Sequence, residues 1–218
     1  MLDDFLHPKL LMKVISHIEA GRYHLKEFQN TLELDNDSVF RAIVKYLLNN
    51  NIGQLSEKDR TISFSRSDKI LITLIAIRRG CEIQECSRLL SWQDFESLTS
   101  QILGHFEYDT KVNIVLTKPR CQLDVIAIKK DFLISIDCKH WKNYSKSAIM
   151  PYVDKQIIRT KNYLRNNKKI KKALPMLLTL YDTNFKFING IPIVPISFFK
   201  SFIFEFESFN ENIAYISR

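Results

Sequence analysis

Leu123-Asp124-Val125-Ile126-Ala127-Ile128 and Phe132-Leu133-Ile134-Ser135-Ile136-Asp137-Cys138-Lys139 are two apolar runs joined by Lys129-Lys130-Asp131. Each reads as a strand, and together they read as a hairpin. Strand side chains alternate faces, so Asp137 and Lys139 point the same way. A two-residue turn at Lys130-Asp131 pairs Lys129 with Phe132 and sets Asp124 opposite Asp137. Opposed side chains stand about 4.5–5.5 Å apart at Cβ, a spacing that a cation can bridge. Two buried carboxylates repel unless a cation lies between them. Oxygen ligands suit a hard ion, so Mg²⁺ or Mn²⁺ is expected. Such an ion lowers the pKa of bound water and takes up charge on phosphoryl oxygens. Lys139 is placed to orient the attacking water or to neutralise the phosphorane. The hairpin therefore points to a metal-dependent nuclease.

The surrounding pattern is a mixed α/β layer architecture. Trp92, Phe95, Leu98, Ile102 and Phe106 mark a helix capped by Ser91, and Lys111 to Leu116 marks a strand. Ile149, Val153, Ile157, Thr160 and Leu164 mark a long amphipathic helix after the hairpin. Met176 to Leu180 and Ile191 to Ile196 read as strands. Phe198 to Phe206 is apolar and fits helix or strand. The first third reads differently, as helices over His7 to Gly21, Leu25 to Leu32 and Asn36 to Asn51, then a hairpin of Ile52–Leu55 with Thr61–Phe64. Ser67 to Arg79 and Ile83 to Leu90 read as helices joining the two parts. The expected domains are 1–67, a connecting pair of helices at 68–90, and 91–218.

Of 218 residues, 32 are basic and 24 acidic, and the excess is not evenly spread. Residues 1–67 carry 9 of each, residues 68–138 carry 9 basic and 10 acidic, and residues 173–218 carry 3 and 4. Residues 139–172 hold 11 basic residues against Asp154 alone, so the whole +8 arises there. A basic segment that begins at Lys139 favours a polyanion beside the candidate centre. Lys142, Lys146, Lys155, Arg159 and Lys161 are the candidate phosphate contacts. The four cysteines include no C-x-x-C pair, which argues against zinc and for reduced thiols. No apolar run reaches the ~18 residues of a membrane span. The acidic start, Met1-Leu2-Asp3-Asp4-Phe5, lacks the features of a signal peptide, and the cytoplasm is the expected location.

Asp124 followed by Asp137-Cys138-Lys139, with Glu96 on the preceding helix, resembles the PD-(D/E)xK nuclease superfamily over roughly residues 91–200. The likeness is nearest to its Mrr-like restriction-endonuclease and archaeal Holliday-junction-resolvase branches. It implies a restriction-endonuclease-like mixed central sheet flanked by helices. It also implies a metal held by Asp124, Asp137 and the Cys138 carbonyl, with Glu96 and Gln156 as further site residues, and a homodimer. Two departures stand out. Leu123 occupies the place of the signature's Pro, and no Tyr follows Gln156 at the spacing some branches use, since Tyr163 lies seven residues on. The first third resembles a winged helix-turn-helix domain. Its third helix would present Asp37, Arg41 and Lys45 to DNA, or the neutral module would dock a protein partner or a second copy. A non-catalytic regulator built on the same fold is the alternative.

Overall fold

The computed structural model describes residues 6–142 and 145–217, with the side chains of Glu207, Phe209 and Asn210 outside that description. The acidic start at residues 1–5 also lies outside the described residues. The chain divides into two compact units, Met1–Asp94 and Phe95–Arg218.

The first unit runs α1 (Pro8–His17), β1 (Gly21–His24), α2 (Leu25–Thr31), α3 (Asp37–Asn49), β2 (Gln54–Ser56), β3 (Thr61–Phe64), α4 (Arg66–Arg78) and α5 (Ile83–Arg88). Asn36 caps α3 as its sequence position suggests, accepting from the Ser38 and Val39 amides. Leu11, Val14, Ile15, Phe28, Ile43, Leu47 and Ile62 form its buried interior. β1 is an element beyond those expected from the sequence. It pairs antiparallel with β3, giving a three-stranded sheet of order β1-β3-β2. Because α4 packs on α1, it belongs to the body of this unit.

The second unit opens within α6 (Trp92–His105). It continues with β4 (Asp109–Thr117), β5 (Arg120–Lys129), β6 (Phe132–Lys139), α7 (Lys146–Asn166), β7 (Lys172–Thr179), β8 (Phe187–Ile188) and β9 (Ile191–Pro195). α8 (Ile196–Glu205), a 3-10 stretch at Phe206–Asn212 and β10 (Ile216–Ser217) complete it. The ambiguous apolar stretch after Phe198 is thus helical. The sheet runs β4-β5-β6-β7-β9-β8, with β10 beside β7. Its first three strands are antiparallel, whereas β6, β7 and β9 are mutually parallel. This is a mixed central sheet with helices on its faces. β7 carries β10 against Lys172 and Ala173 and β9 against Leu177 to Thr179. Pro175 falls between those two pairings, where its missing N–H breaks no bond on that edge.

Parallel pairing of β6 with β7 requires a long crossover, and α7 is that crossover. α7 buries Ile149 and Val153 against Leu177, Ile191 and Ile193, and Tyr163 and Leu164 against Leu123, Leu133 and Ala173. The same buried face carries Gln156, which is how a polar side chain comes to rest on the middle of β6.

Candidate active centre

The hairpin closes as expected, with Lys129 paired to Phe132 and Lys130 at positive φ (58°). Its ladder runs to Val125↔Ile136, which makes Asp124 and Asp137 the next pair in register. There the ladder stops. On the other side of β5, the pairing with β4 skips Asn113 and Asp124, and Asn113 also has positive φ (54°). β5 therefore leaves regular pairing on both edges at Asp124, as strands do where they re-aim a side chain. The Asp124 carboxylate takes over the role of a ladder carbonyl. Its Oδ2 accepts from the Cys138 N–H at 2.9 Å.

Asp137 is 2% exposed and Asp124 8% exposed. Asp137 Oδ2 meets Lys139 Nζ at 2.7 Å, and Asp137 Oδ1 meets Arg159 Nη1 at 3.0 Å. Burial, followed by repulsion from Asp137, pushes the Asp124 carboxyl up to about 6. The Cys138 amide and the Lys139 ammonium pull in the other direction without cancelling that rise. The pair is thus strained toward taking up a proton or a cation.

Gln156 is 1% exposed and donates through Nε2 to the Ser135 carbonyl at 2.7 Å and the Ser135 hydroxyl at 3.1 Å. Its buried Oε1 has no hydrogen-bond partner among the described residues. Ser135, Asp137 and Lys139 share one face of β6, and α7 covers that face with Tyr152, Gln156 and Arg159. Tyr152 was not singled out from sequence. Its ring lies 5.3 Å from Lys139 Nζ and packs edge-on against Trp141 at 4.8 Å. The available signal was spacing, because Tyr152, Gln156 and Thr160 recur at i, i+4 on one helix face.

The opposite face of β6 belongs to α6. The fully buried Cys138 thiol lies 3.9 Å from the Thr99 hydroxyl, and His140 packs edge-on against Phe95 at 4.9 Å. Burial, reinforced by the nearby Asp124 and Glu96 charges, raises the Cys138 thiol well above its ordinary value. Burial likewise lowers the His140 imidazole. Glu96 is buried, not solvated, and its charge is felt at Cys138. Among the described residues no three Asp, Glu, His or Cys side chains converge as a metal site. Asp124 and Asp137 stand as a pair, with the Cys138 main chain between them.

The candidate phosphate contacts fall in two groups. Lys146, Lys155 and Lys161 are exposed along α7, and exposed Lys142 lies 5.8 Å from the Tyr181 ring. Arg159 is instead turned inward onto Asp137. In the first unit, Asp37, Arg41 and Lys45 share the exposed face of α3. Gln29 donates to Asp37 at 2.7 Å and holds its carboxyl below the usual range. All four cysteines are free thiols. Among the described residues no helix is long and apolar enough to cross a membrane.

No family model matches the sequence. An uncharacterised protein of Archaeoglobus fulgidus is 25% identical over 118 residues, covering 52% of this chain and 90% of that protein. Among solved structures, VC1899 from Vibrio cholerae is similar with a TM-score of 0.39 and 13% identity, over 94% of this chain and 50% of its own. The restriction endonuclease FokI is similar with a TM-score of 0.30 and 15% identity, over 82% of this chain and 38% of its own. The chain spans half or less of the length of these solved structures. At scores this low, the architecture rests on strand order and register: a mixed sheet flanked by helices, with two buried aspartates and a lysine where β5 and β6 leave their ladder.

Proposed function

We propose that the chain is a metal-dependent endodeoxyribonuclease of the PD-(D/E)xK type, with a winged helix-turn-helix module ahead of it. The observation that carries this reading is the buried Asp124–Asp137 pair meeting Lys139 at the end of the β5–β6 ladder. Buried like charges destabilise a fold unless something binds there, and these are the hard oxygen donors that Mg²⁺ and Mn²⁺ take. Asp124, Asp137 and the Cys138 carbonyl would hold the ion, which supplies Lewis acidity toward water and a phosphodiester. Lys139 orients the attacking water and offsets charge at phosphorus. Gln156 fixes the β6 main chain through Ser135, so Asp137 is presented from a rigid strand. Arg159 leaves Asp137 for a phosphate oxygen when substrate enters. The order helix-strand-helix-helix-hairpin in the first unit supports the winged-helix reading.

A second reading keeps the fold as a DNA-binding regulator without catalysis. One observation favours it: both oxygens of Asp137 are already engaged, by Lys139 and Arg159. Assays on plasmid, linear, branched and single-stranded DNA with Mg²⁺ or Mn²⁺ separate the two. The nuclease reading expects cleavage that EDTA abolishes and that Asp137→Asn lowers by at least ~100-fold. DNA binding without cleavage of any substrate would leave the regulator.

A further inference from the structure

The first unit holds a cluster that the nuclease reading does not use. Gly80, at φ +93°, ends α4, and the Gly80 and Cys81 amides bond back to Ile77 and Ala76. That turn aims Cys81 at the start of α1, where its Sγ donates to the Pro8 carbonyl at 3.7 Å. Cys86 stands in the first turn of α5 on the buried side. Its Sγ lies 3.3 Å from Met12 Sδ on α1, and it is also coupled by hydrogen bonding to Cys81. Three sulfur atoms, from α1, the α4–α5 turn and α5, therefore approach one another.

We propose that Met12, Cys81 and Cys86 form a binding site for a soft monovalent cation, Cu⁺. Sulfur ligands of one small ion lie roughly 3.7–4 Å from each other at metal–sulfur bonds of ~2.3 Å, so Met12 Sδ and Cys86 Sγ, now 3.3 Å apart, would separate by about half an ångström. The ligand set decides the ion. Two thiolates and a thioether are soft donors and select Cu⁺ over Mg²⁺, Ca²⁺ or Mn²⁺. Structural zinc takes four ligands, almost always Cys and His, and no such group exists among the described residues. Access is also provided, because Cys86 is fully buried whereas Cys81 and Met12 are partly exposed. Binding releases two protons: both S–H bonds are lost, and both sulfur pairs are donated to the ion. Burial raises both thiols, Cys86 to about 12, so in the absence of the ion they remain protonated and packed as neutral groups. The loaded site would tie α1 to the α4–α5 turn and stabilise the first unit.

The test is anaerobic titration of the reduced full-length chain against a chromophoric Cu⁺ chelator. One Cu⁺ per chain should pass to the protein, with an X-ray absorption edge and shell of sulfur neighbours. Cys81→Ser, at a partly exposed position, should weaken binding by ~10-fold or more, and Met12→Leu should weaken it while keeping the packing volume. Cys121→Ser, in the second unit, should leave it unchanged. Circular dichroism of each variant checks that it folds. Failure of the chain to take Cu⁺ from the chelator would overturn the proposal, as would equal binding by Cys81→Ser or Met12→Leu. None of these outcomes bears on DNA cleavage.

Discussion

Asp124 is the side chain whose chemistry is most constrained by its surroundings. Its folded carboxyl titrates at about 6, above the 3.8 of an unstructured aspartate. Between those two values the native state binds the proton that the unfolded chain has released, so metal-free stability falls as pH rises from 4 through 6. Asp124→Asn keeps an oxygen to accept from the Cys138 amide and removes the charge. In EDTA at pH 8 it should therefore be more stable than wild type, by up to about 3 kcal/mol. The gain should vanish near pH 4, where wild-type Asp124 is itself neutral. Urea unfolding at several pH values checks this, and a variant equally or less stable at pH 8 would contradict the burial argument. Arg159 gives a second prediction at this scale. Because it occupies Asp137 Oδ1, Arg159→Gln should bind Mn²⁺ several-fold more tightly without DNA, read as loss of the free-ion electron paramagnetic resonance signal. It should also bind DNA more weakly. Sequence pairs Asp137 with Lys139 through alternation alone. The Arg159 contact depends on how α7 crosses β6, which no local pattern encodes.

Among the elements, the central hairpin was legible and the sheet's rim was not. Strand alternation and a two-residue turn are local rules, and they set the register that brings Asp124 to Asp137. β1 is not legible in the sequence because Gly21-Arg22-Tyr23-His24 is largely exposed and has no alternation; it is ordered by pairing with β3. α8 is ambiguous in the sequence because exposed Phe198 and Phe204 blur the apolar face that Ile196, Phe199, Phe202 and Ile203 bury. It follows Pro195 at the end of β9, and its buried residues keep helical spacing. β8 has a local signal in the sequence, the Asn189-Gly190 dipeptide. Both residues take positive φ, 52° and 73°, which is the two-residue turn that joins twisted antiparallel strands. Gly190 is doubly constrained there. A Cβ at that position would lie 2.6 Å from the Ala214 Cβ and 2.9 Å from the Ala214 nitrogen, whose amide donates to the Gly190 carbonyl at 2.8 Å. Gly190→Ala should cost about 2 kcal/mol or more, through left-handed strain and a main chain that must shift. Denaturant midpoints compared with wild type measure it. A loss below ~0.5 kcal/mol would mean that the β8–β9 turn does not hold this conformation in solution.

Across the whole molecule, charge separates the two units where fold alone does not. The helix-strand-helix-helix-hairpin order of the first unit invites the assumption that α3 reads DNA. Yet residues 1–67 carry no net charge, and the exposed face of α3 places Asp37 beside Arg41 and Lys45. The second unit holds the basic segment, and α7 displays Lys146, Lys155 and Lys161 to solvent while its inner face supports the aspartate pair. Polyanion binding through such a surface must weaken with salt, with a slope of about −0.9 per phosphate neutralised on duplex DNA. Replacing Lys155 and Lys161 with Gln together should therefore lower DNA affinity at 0.1 M salt. It should also flatten the slope of log K against log salt concentration by roughly 1–2. Replacing Arg41 and Lys45 with Gln should change neither quantity appreciably. Fluorescence anisotropy with a labelled duplex across a salt series, in EDTA to prevent cleavage, reads both at once. If the slope instead falls in the Arg41/Lys45 variant and stays fixed in the Lys155/Lys161 variant, the first unit carries the phosphate contacts. The charge excess of residues 139–172 would then be an ordinary solvated surface.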